Sequence, residues 1–355
     1  MAELVARLGR GLIAVLLPLL LAEATIKLFP NPMSESPEGQ FWVYDADLGW
    51  AHVPSSEGVF QSRHFGYHGV CTFDEHGFRG TGAPAPSGKF KKILLLGDST
   101  TATQEVDDQE TWAAIVEREF REAGKPVKVY NAGVRGYGPD QELLQLRRLL
   151  PLINPDLVLY LASDNDVEDL VTIKNRHRLY SKPAFFYEDG ELKPVNSPAQ
   201  KYDLEYFAYI SCEKGPCRVI SGQARAGGLF AWLRDHSFFY KYVEDFYYVK
   251  FGPASSYEQR FDTAYSDRLF PIVLAEEKKL FKNFYMTSFT ENGGPVRGGY
   301  DHSWEMAKRA GVAFLDIRPS FSMTERYIYP IDGHWNQKGN RVAGEAIYSL
   351  LKDKL

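Results

Sequence analysis

Between residues 91 and 163 three aliphatic runs alternate with two amphipathic stretches, and few architectures accept that order. "KILLLG" (92–97) lacks polar/apolar alternation, so it suits a strand buried on both faces. "DQETWAAIVEREFREAG" (108–124) follows with helical spacing through Trp112, Ile115, Val116 and Phe120, and Gly124 suits its C-terminal stop. "VKVYNAG" (127–133) reads as a second strand, "DQELLQLRRLLPLI" (140–153) as a second helix and "PDLVLYLAS" (155–163) as a third strand. Strand, helix, strand, helix, strand predicts an α/β fold built on a doubly wound parallel sheet. The rhythm resumes in "YDHSWEMAKRAGVAFLDI" (300–317) and closes on a terminal helix in "NQKGNRVAGEAIYSLLKDKL" (336–355). Between 266 and 299 only the weak candidate "NFYMTSF" offers another strand.

Three regions stand outside this rhythm. Residues 1–30 place Arg7 and Arg10 before an apolar run from Leu12 to Ala22, with Glu23 and Lys27 after it. Basic, apolar, polar is the order of an export signal, and it predicts a signal anchor with the bulk of the chain outside the cytoplasm. Cleavage at Ala22-Glu23-Ala24 and a buried amphipathic helix are the alternatives. Residues 31–88 are rich in Gly, Pro, Ser and aromatics and read as an extension of turns and short strands, ended by the linker-like "APAPSG". The α/β domain then runs over 89–355, interrupted by an insertion at 181–265. That insertion is dense in Phe and Tyr, as in "FFYKYVEDFYYVKFG" (238–252), and is expected to pack a helix pair in a secondary core; a substrate- or membrane-facing surface is the alternative.

A net charge of −5 without an extended basic stripe argues against a nucleic-acid partner. The three cysteines leave two options for "CEKGPC": a Cys212–Cys217 bridge in an oxidising compartment, or two thiols. Two local ligands without a matching His pair do not make a zinc site.

Polar groups gather where the strands end, which is where open α/β sheets place their ligands. Ser99 follows the first strand in "GDST". "NAGVRGYG" (131–138) follows the second, with Gly133, Gly136 and Gly138 permitting tight backbone turns. "SDNDV" (163–167) follows the third, and "DGHWNQKG" (332–339) precedes the terminal helix. A serine hydroxyl can attack an acyl carbonyl if an imidazole takes its proton, an acid orients that imidazole, and preorganised donors hold the oxyanion. Ser, His, Asp, Gly and Asn supply those chemical types. Asp164, Asp166 and Asp169 look like a hard-cation site, but clustered acids on a loop are expected to be solvated, and no metal or cofactor is expected.

These four blocks, in this order, resemble the SGNH (GDSL-type) family of serine esterases and acyltransferases. The resemblance covers 91–170 and 312–350 and implies a flavodoxin-like sheet. It also implies Ser99 as nucleophile, His334 as base and Asp332 as its acid. The oxyanion donors would be the N–H groups of Ser99 and Gly136 and the side-chain amide of Asn165. Asp332 stands two residues before His334 rather than three, a D-x-H spacing like that of the alginate O-acetyltransferase branch; Asp316 in "FLDIRP" is the other candidate acid. Ser163 occupies a position where the family usually has glycine. "FDEHGFRG" (73–80) resembles a lead-in of extracytoplasmic members and reads as structural. The expected function is an anchored extracytoplasmic serine esterase acting on acyl esters, acetyl esters above all, of envelope glycans. An O-acyltransferase to a polysaccharide would use the same residues, and a non-catalytic glycan-binding module is the reading from another class.

Overall fold

The computed structural model describes residues 17–25, 41–62, 65–174, 180–200, 206–212, 215–223, 237, 262–291 and 299–355. Two compact units share the chain. The larger comprises Ser36–Gln61, Phe65–Gln223 and Phe261–Leu355, and the smaller Met1–Glu35, Ser62–His64 and Ala224–Arg260.

A five-stranded parallel sheet organises the larger unit. Its strands are β1 (Lys91–Gly97), β2 (Val127–Asn131), β3 (Leu157–Ala162), β4 (Phe284–Ser288) and β5 (Ala313–Phe314), in the spatial order 2-1-3-4-5. That is the flavodoxin-like order, with its switch point between β1 and β3. The helices are α1 (Trp112–Glu122), α2 (Pro139–Ile153), α3 (Thr263–Leu280), α4 (Gly299–Ala310) and α5 (Gln337–Leu351).

The aliphatic run of β1 is explained by its two buried faces. Ile93 and Leu95 join Trp112, Val116 and Phe120 of α1 and Ile347 of α5 in one core. Leu94 and Leu96 join Leu143 and Leu146 of α2 and Leu269 and Val273 of α3 in another. All four strand side chains are fully buried, worth about 1.5–3 kcal/mol each in removed apolar surface.

The weak candidate at 283–289 is a full member of the sheet. Its polar residues escaped the hydrophobic pattern because they are satisfied internally: Thr287 Oγ1 donates to the Leu315 carbonyl (2.7 Å), and Ser288 Oγ lies 3.2 Å from Ser303 Oγ.

The extension forms paired strands, Trp42–Asp45 with Gly49–His52 and Ser56–Ser62 with Tyr67–Phe73. Between 184 and 223 the described part of the insertion is β-structure rather than the expected helix pair, and its last residues, from Thr263, open α3. Ala184–Glu188 and Glu191–Val195 form one antiparallel hairpin; Tyr206–Ser211 pairs with Arg218–Gln223 and with Thr172–Lys174. Alternating aromatics such as Phe207 and Tyr209, which stack 6.3 Å apart, are strand neighbours on one face, so the aromatic density reports β-structure there. A disulfide joins Cys212 and Cys217 between those strands, while Cys71 is a buried free cysteine. The run 238–252 lies outside the described residues.

In the smaller unit residues 17–25 are helical, with Leu17, Leu19, Leu20 and Leu21 exposed, and Ser237 Oγ donates to Glu23 (2.8 Å). Among the described residues no helix is long and apolar enough to cross a membrane. Most of the expected anchor, Arg7 and Arg10 included, lies outside them.

Candidate active site

Gly97 lets β1 end abruptly. Its φ is +147°, and a Cβ would sit 2.1 Å from Thr101 Oγ1. The chain then turns into the short helical turn Ser99–Ala102, capped by Asp98, whose Oδ1 accepts from Thr100 N (2.8 Å). Ser99 is its first residue, half-buried at the carboxyl end of the sheet. Asn131, at the end of β2, donates through its amide to the Thr101 carbonyl (2.8 Å) and accepts from Gly133 N (3.0 Å). Gly133 must be glycine for a different reason: a Cβ would stand 2.6 Å from Ala102 N. The second block therefore lies directly against the serine turn.

The fourth block is a tight reversal. Tyr329 N donates to the His334 carbonyl (2.9 Å), Gly333 N to the Tyr329 carbonyl (2.9 Å), and the buried Trp335 indole to the Thr290 carbonyl (2.8 Å). This holds His334 with Nε2 2.7 Å from Ser99 Oγ and Nδ1 2.6 Å from Asp332 Oδ2. Burial works against the imidazolium, but the Glu105 charge and the Asp332 hydrogen bond outweigh it, so the His334 pKa lies above its usual value. For Asp332, burial acts upward, yet its hydrogen bond to His334 and the imidazole's charge bring it below the usual carboxylate value.

Ser99, Gly136, Asn165, Asp332 and His334 all line one open cleft of about 340 Å³, with Arg135, Asp164 and Phe289 among its other walls. Asp316 is not part of it. Its carboxylate accepts from Tyr300 Oη (2.8 Å) and from Arg318 Nη2 (3.0 Å), far from any role on His334, which Asp332 fills. Asn165 reaches the cleft with its amide already engaged: Nδ2 donates to Asp98 Oδ2 (3.1 Å) and Asp169 Oδ2 (2.6 Å).

The acid cluster is not the solvated loop expected from its composition. Asp166 and Asp169 are buried, and Asp166 Oδ2 accepts from Tyr160 Oη (2.5 Å) and Ser163 N (2.9 Å); only Asp164 is exposed. Ser163, in the glycine position, uses its hydroxyl as a strut, donating to Asp98 Oδ1 (2.9 Å) and lying 2.8 Å from Thr100 Oγ1.

Several contributors had no local signal. Arg79 of "FDEHGFRG" is buried, donates to the Ala102 (3.3 Å) and Val106 (2.9 Å) carbonyls and pairs with Asp108, so the lead-in braces the segment after the serine. Glu105 and Arg135 pair at 2.6 Å beside His334. Among the described residues Glu105, Asp332 and His334 are the group whose donor atoms converge within 4.8 Å, as a metal would need. His334 Nδ1 already faces Asp332, Glu105 Oε1 already pairs with Arg135, and the Arg135 charge opposes a cation there.

No family model matches the chain. An arylesterase of Vibrio mimicus is 33% identical over 82 residues, 23% of this chain, which thereby spans 41% of that relative's length. Among solved structures, a lipase/acylhydrolase from Enterococcus faecalis is 14% identical, with 75% of this chain and 97% of that one covered at a TM-score of 0.41. AlinE4, an SGNH-hydrolase family esterase, is 13% identical over 65% and 77% of the two chains at a TM-score of 0.31. Structural likeness this distant bears no weight on chemistry. The four sequence blocks and the cleft that they line resemble those of the SGNH/GDSL-type serine hydrolases.

Proposed function

We propose that the protein is a serine esterase that works through a covalent acyl-enzyme. The observation that carries this reading is the continuous Ser99–His334–Asp332 relay, with contacts of 2.7 and 2.6 Å. Ser99 Oγ attacks the ester carbonyl carbon while His334 Nε2 takes its proton. Asp332 holds the Nδ1–H tautomer and stabilises the imidazolium. The imidazolium then protonates the leaving alkoxide, and the acyl group stays on Ser99. Water attacks next, His334 again acting as base, and the acid leaves.

The N–H groups of Ser99 and Gly136 and the Asn165 amide receive the oxyanion in this reading. Asn165 joins after giving up one of its two carboxylate partners, so substrate binding and Asn165 release are coupled. Among the described residues Phe289 is the one large apolar side chain lining the cleft, which suits a short acyl group such as acetyl better than a long chain.

The segment match to an arylesterase supports hydrolysis. The D-x-H spacing favours a second reading, transfer of the acyl group to a sugar hydroxyl by the same residues. The N-terminal pattern and the Cys212–Cys217 bridge support an extracytoplasmic, membrane-anchored enzyme, for which envelope glycan esters are the substrates within reach. A small aryl acetate, supplied with and without an oligosaccharide and followed by mass spectrometry, separates the readings. Acetate release unaffected by sugar means hydrolysis, acetylated sugar formed at the expense of acetate means transfer, and glycan binding without either product means a binding module.

A further inference from the structure

Glu105 is held behind the catalytic histidine by contacts that core packing does not require. Thr103 turns the chain through a left-handed conformation, φ +43°, and returns it towards the fourth block. Arg79 clamps the segment by the carbonyls of Ala102 and Val106, and Tyr329 Oη donates to the Glu105 carbonyl (3.3 Å). The side chain is 1% exposed, Oε1 lies 3.7 Å from His334 Nδ1 and 2.6 Å from Arg135 Nη1, and Oε2 has no hydrogen-bond partner among the described residues. A buried carboxylate with an unsatisfied oxygen costs stability, and such costs concentrate where a charge has a task.

We propose that Glu105 is a positioning residue of the catalytic unit: a second carboxylate facing His334 Nδ1, with Arg135 as its counter-charge on the cleft wall. The proposal rests on the Ser–His–Asp reading above. Asp332 takes the hydrogen bond and fixes the tautomer. Glu105, too far for that bond, lowers the energy of the imidazolium that forms when Ser99 gives up its proton. Arg135 offsets part of that effect and ties Glu105 to the backbone next to Gly136.

The other groups around this pair come from each packed element. Arg79 is neutralised by Asp108, and Asp107 accepts from Val70 N. The Cys71 thiol, pushed up to about 11 by burial, is uncharged at neutral pH, and Tyr329 is a neutral phenol pushed up to about 12, also by burial. Among the described residues Glu105, Asp332 and Arg135 are the charges that bear on the imidazole.

The test is the pH dependence of kcat/KM on a small aryl acetate for the wild type, E105Q, E105D and R135Q, with fluorophosphonate labelling of Ser99 alongside. E105Q is expected to move the acid limb down by about one pH unit. Its kcat falls by about tenfold, the equivalent of that unit, with KM little changed. R135Q moves the limb the other way. E105D keeps the charge but withdraws it by one methylene; it shifts the limb less than E105Q in the same direction, and decides the matter should E105Q not fold. A limb unmoved in the Glu105 variants, or moved the same way by R135Q, reduces Glu105 to a structural tether and overturns the proposal. A wild type that is neither labelled at Ser99 nor active fails earlier: it overturns the triad reading and the proposal with it.

Discussion

Asp98→Ala probes the joint that holds the first and third blocks together. The Asp98 carboxylate is 1% exposed and accepts four hydrogen bonds: from Thr100 N (2.8 Å), Thr100 Oγ1 (2.9 Å), Ser163 Oγ (2.9 Å) and Asn165 Nδ2 (3.1 Å). The two hydroxyls also contact each other at 2.8 Å, so they keep a partner when the acid is removed. Thr100 N and one Asn165 amide hydrogen do not. Hydrogen bonds to a charged group are worth about 1.5–3 kcal/mol each, and removing the buried charge returns part of its desolvation cost, so the expected loss is about 3–4 kcal/mol. Ser163→Ala, which removes a single strut, should cost about 1 kcal/mol.

Urea unfolding by circular dichroism measures both, read as a shift in midpoint at constant m. Because Asp98 caps the turn that begins with Ser99, the same variant should lose about 10²-fold in kcat from misplacement of the hydroxyl by an ångström or so. An Asp98→Ala protein within about 1 kcal/mol of wild type, with kcat retained, would refute the view that this carboxylate registers the two blocks.

The two candidate acids separate cleanly by position. Asp332→Asn should lower kcat by orders of magnitude by favouring the wrong imidazole tautomer, while Asp316→Asn, which weakens contacts to Tyr300 and Arg318, should lower stability and leave turnover near wild type; steady-state kinetics and melting curves on both variants check this. Arg79→Met should destabilise the fold by roughly 3–5 kcal/mol, because it leaves Asp108 with hydrogen bonds from Thr72 but no counter-charge, and frees the Ala102 and Val106 carbonyls; denaturant unfolding measures it. Full-length protein should sediment with membranes, and a chain starting near Asn31 should stay in the supernatant and still hydrolyse small esters; a mature cellular product lacking the first two dozen or so residues would instead show a cleaved signal.

The sheet was legible because burial on both faces leaves an unmistakable mark on strands such as Ile93–Leu96. Strand β4 was nearly missed because Thr287 and Ser288 satisfy their hydroxyls within the fold, which a hydrophobic pattern cannot register. Ser99, Asp332 and His334 could be singled out because they fall in two short polar blocks, one just after β1 and one just before α5, which the fold brings within hydrogen-bond reach. Glu105 could not: its partner His334 is 229 positions away, and nothing around "TQEV" announces a second carboxylate at the imidazole. Asp166 and Asp169 misled for the converse reason. Acids on a loop are usually solvated, but here Tyr160, Ser163 and Asn165 supply donors that allow burial.

The nucleophile itself can be tested in one measurement: intact-mass and peptide-level mass spectrometry after reaction with a fluorophosphonate. One adduct is expected per chain, on Ser99, and it should vanish in Ser99→Ala while the circular dichroism spectrum is unchanged, since the hydroxyl contributes little to the core. Labelling of Ser99→Ala to the same extent, or an adduct on another residue of the wild type, would contradict the assignment of Ser99 as the attacking group.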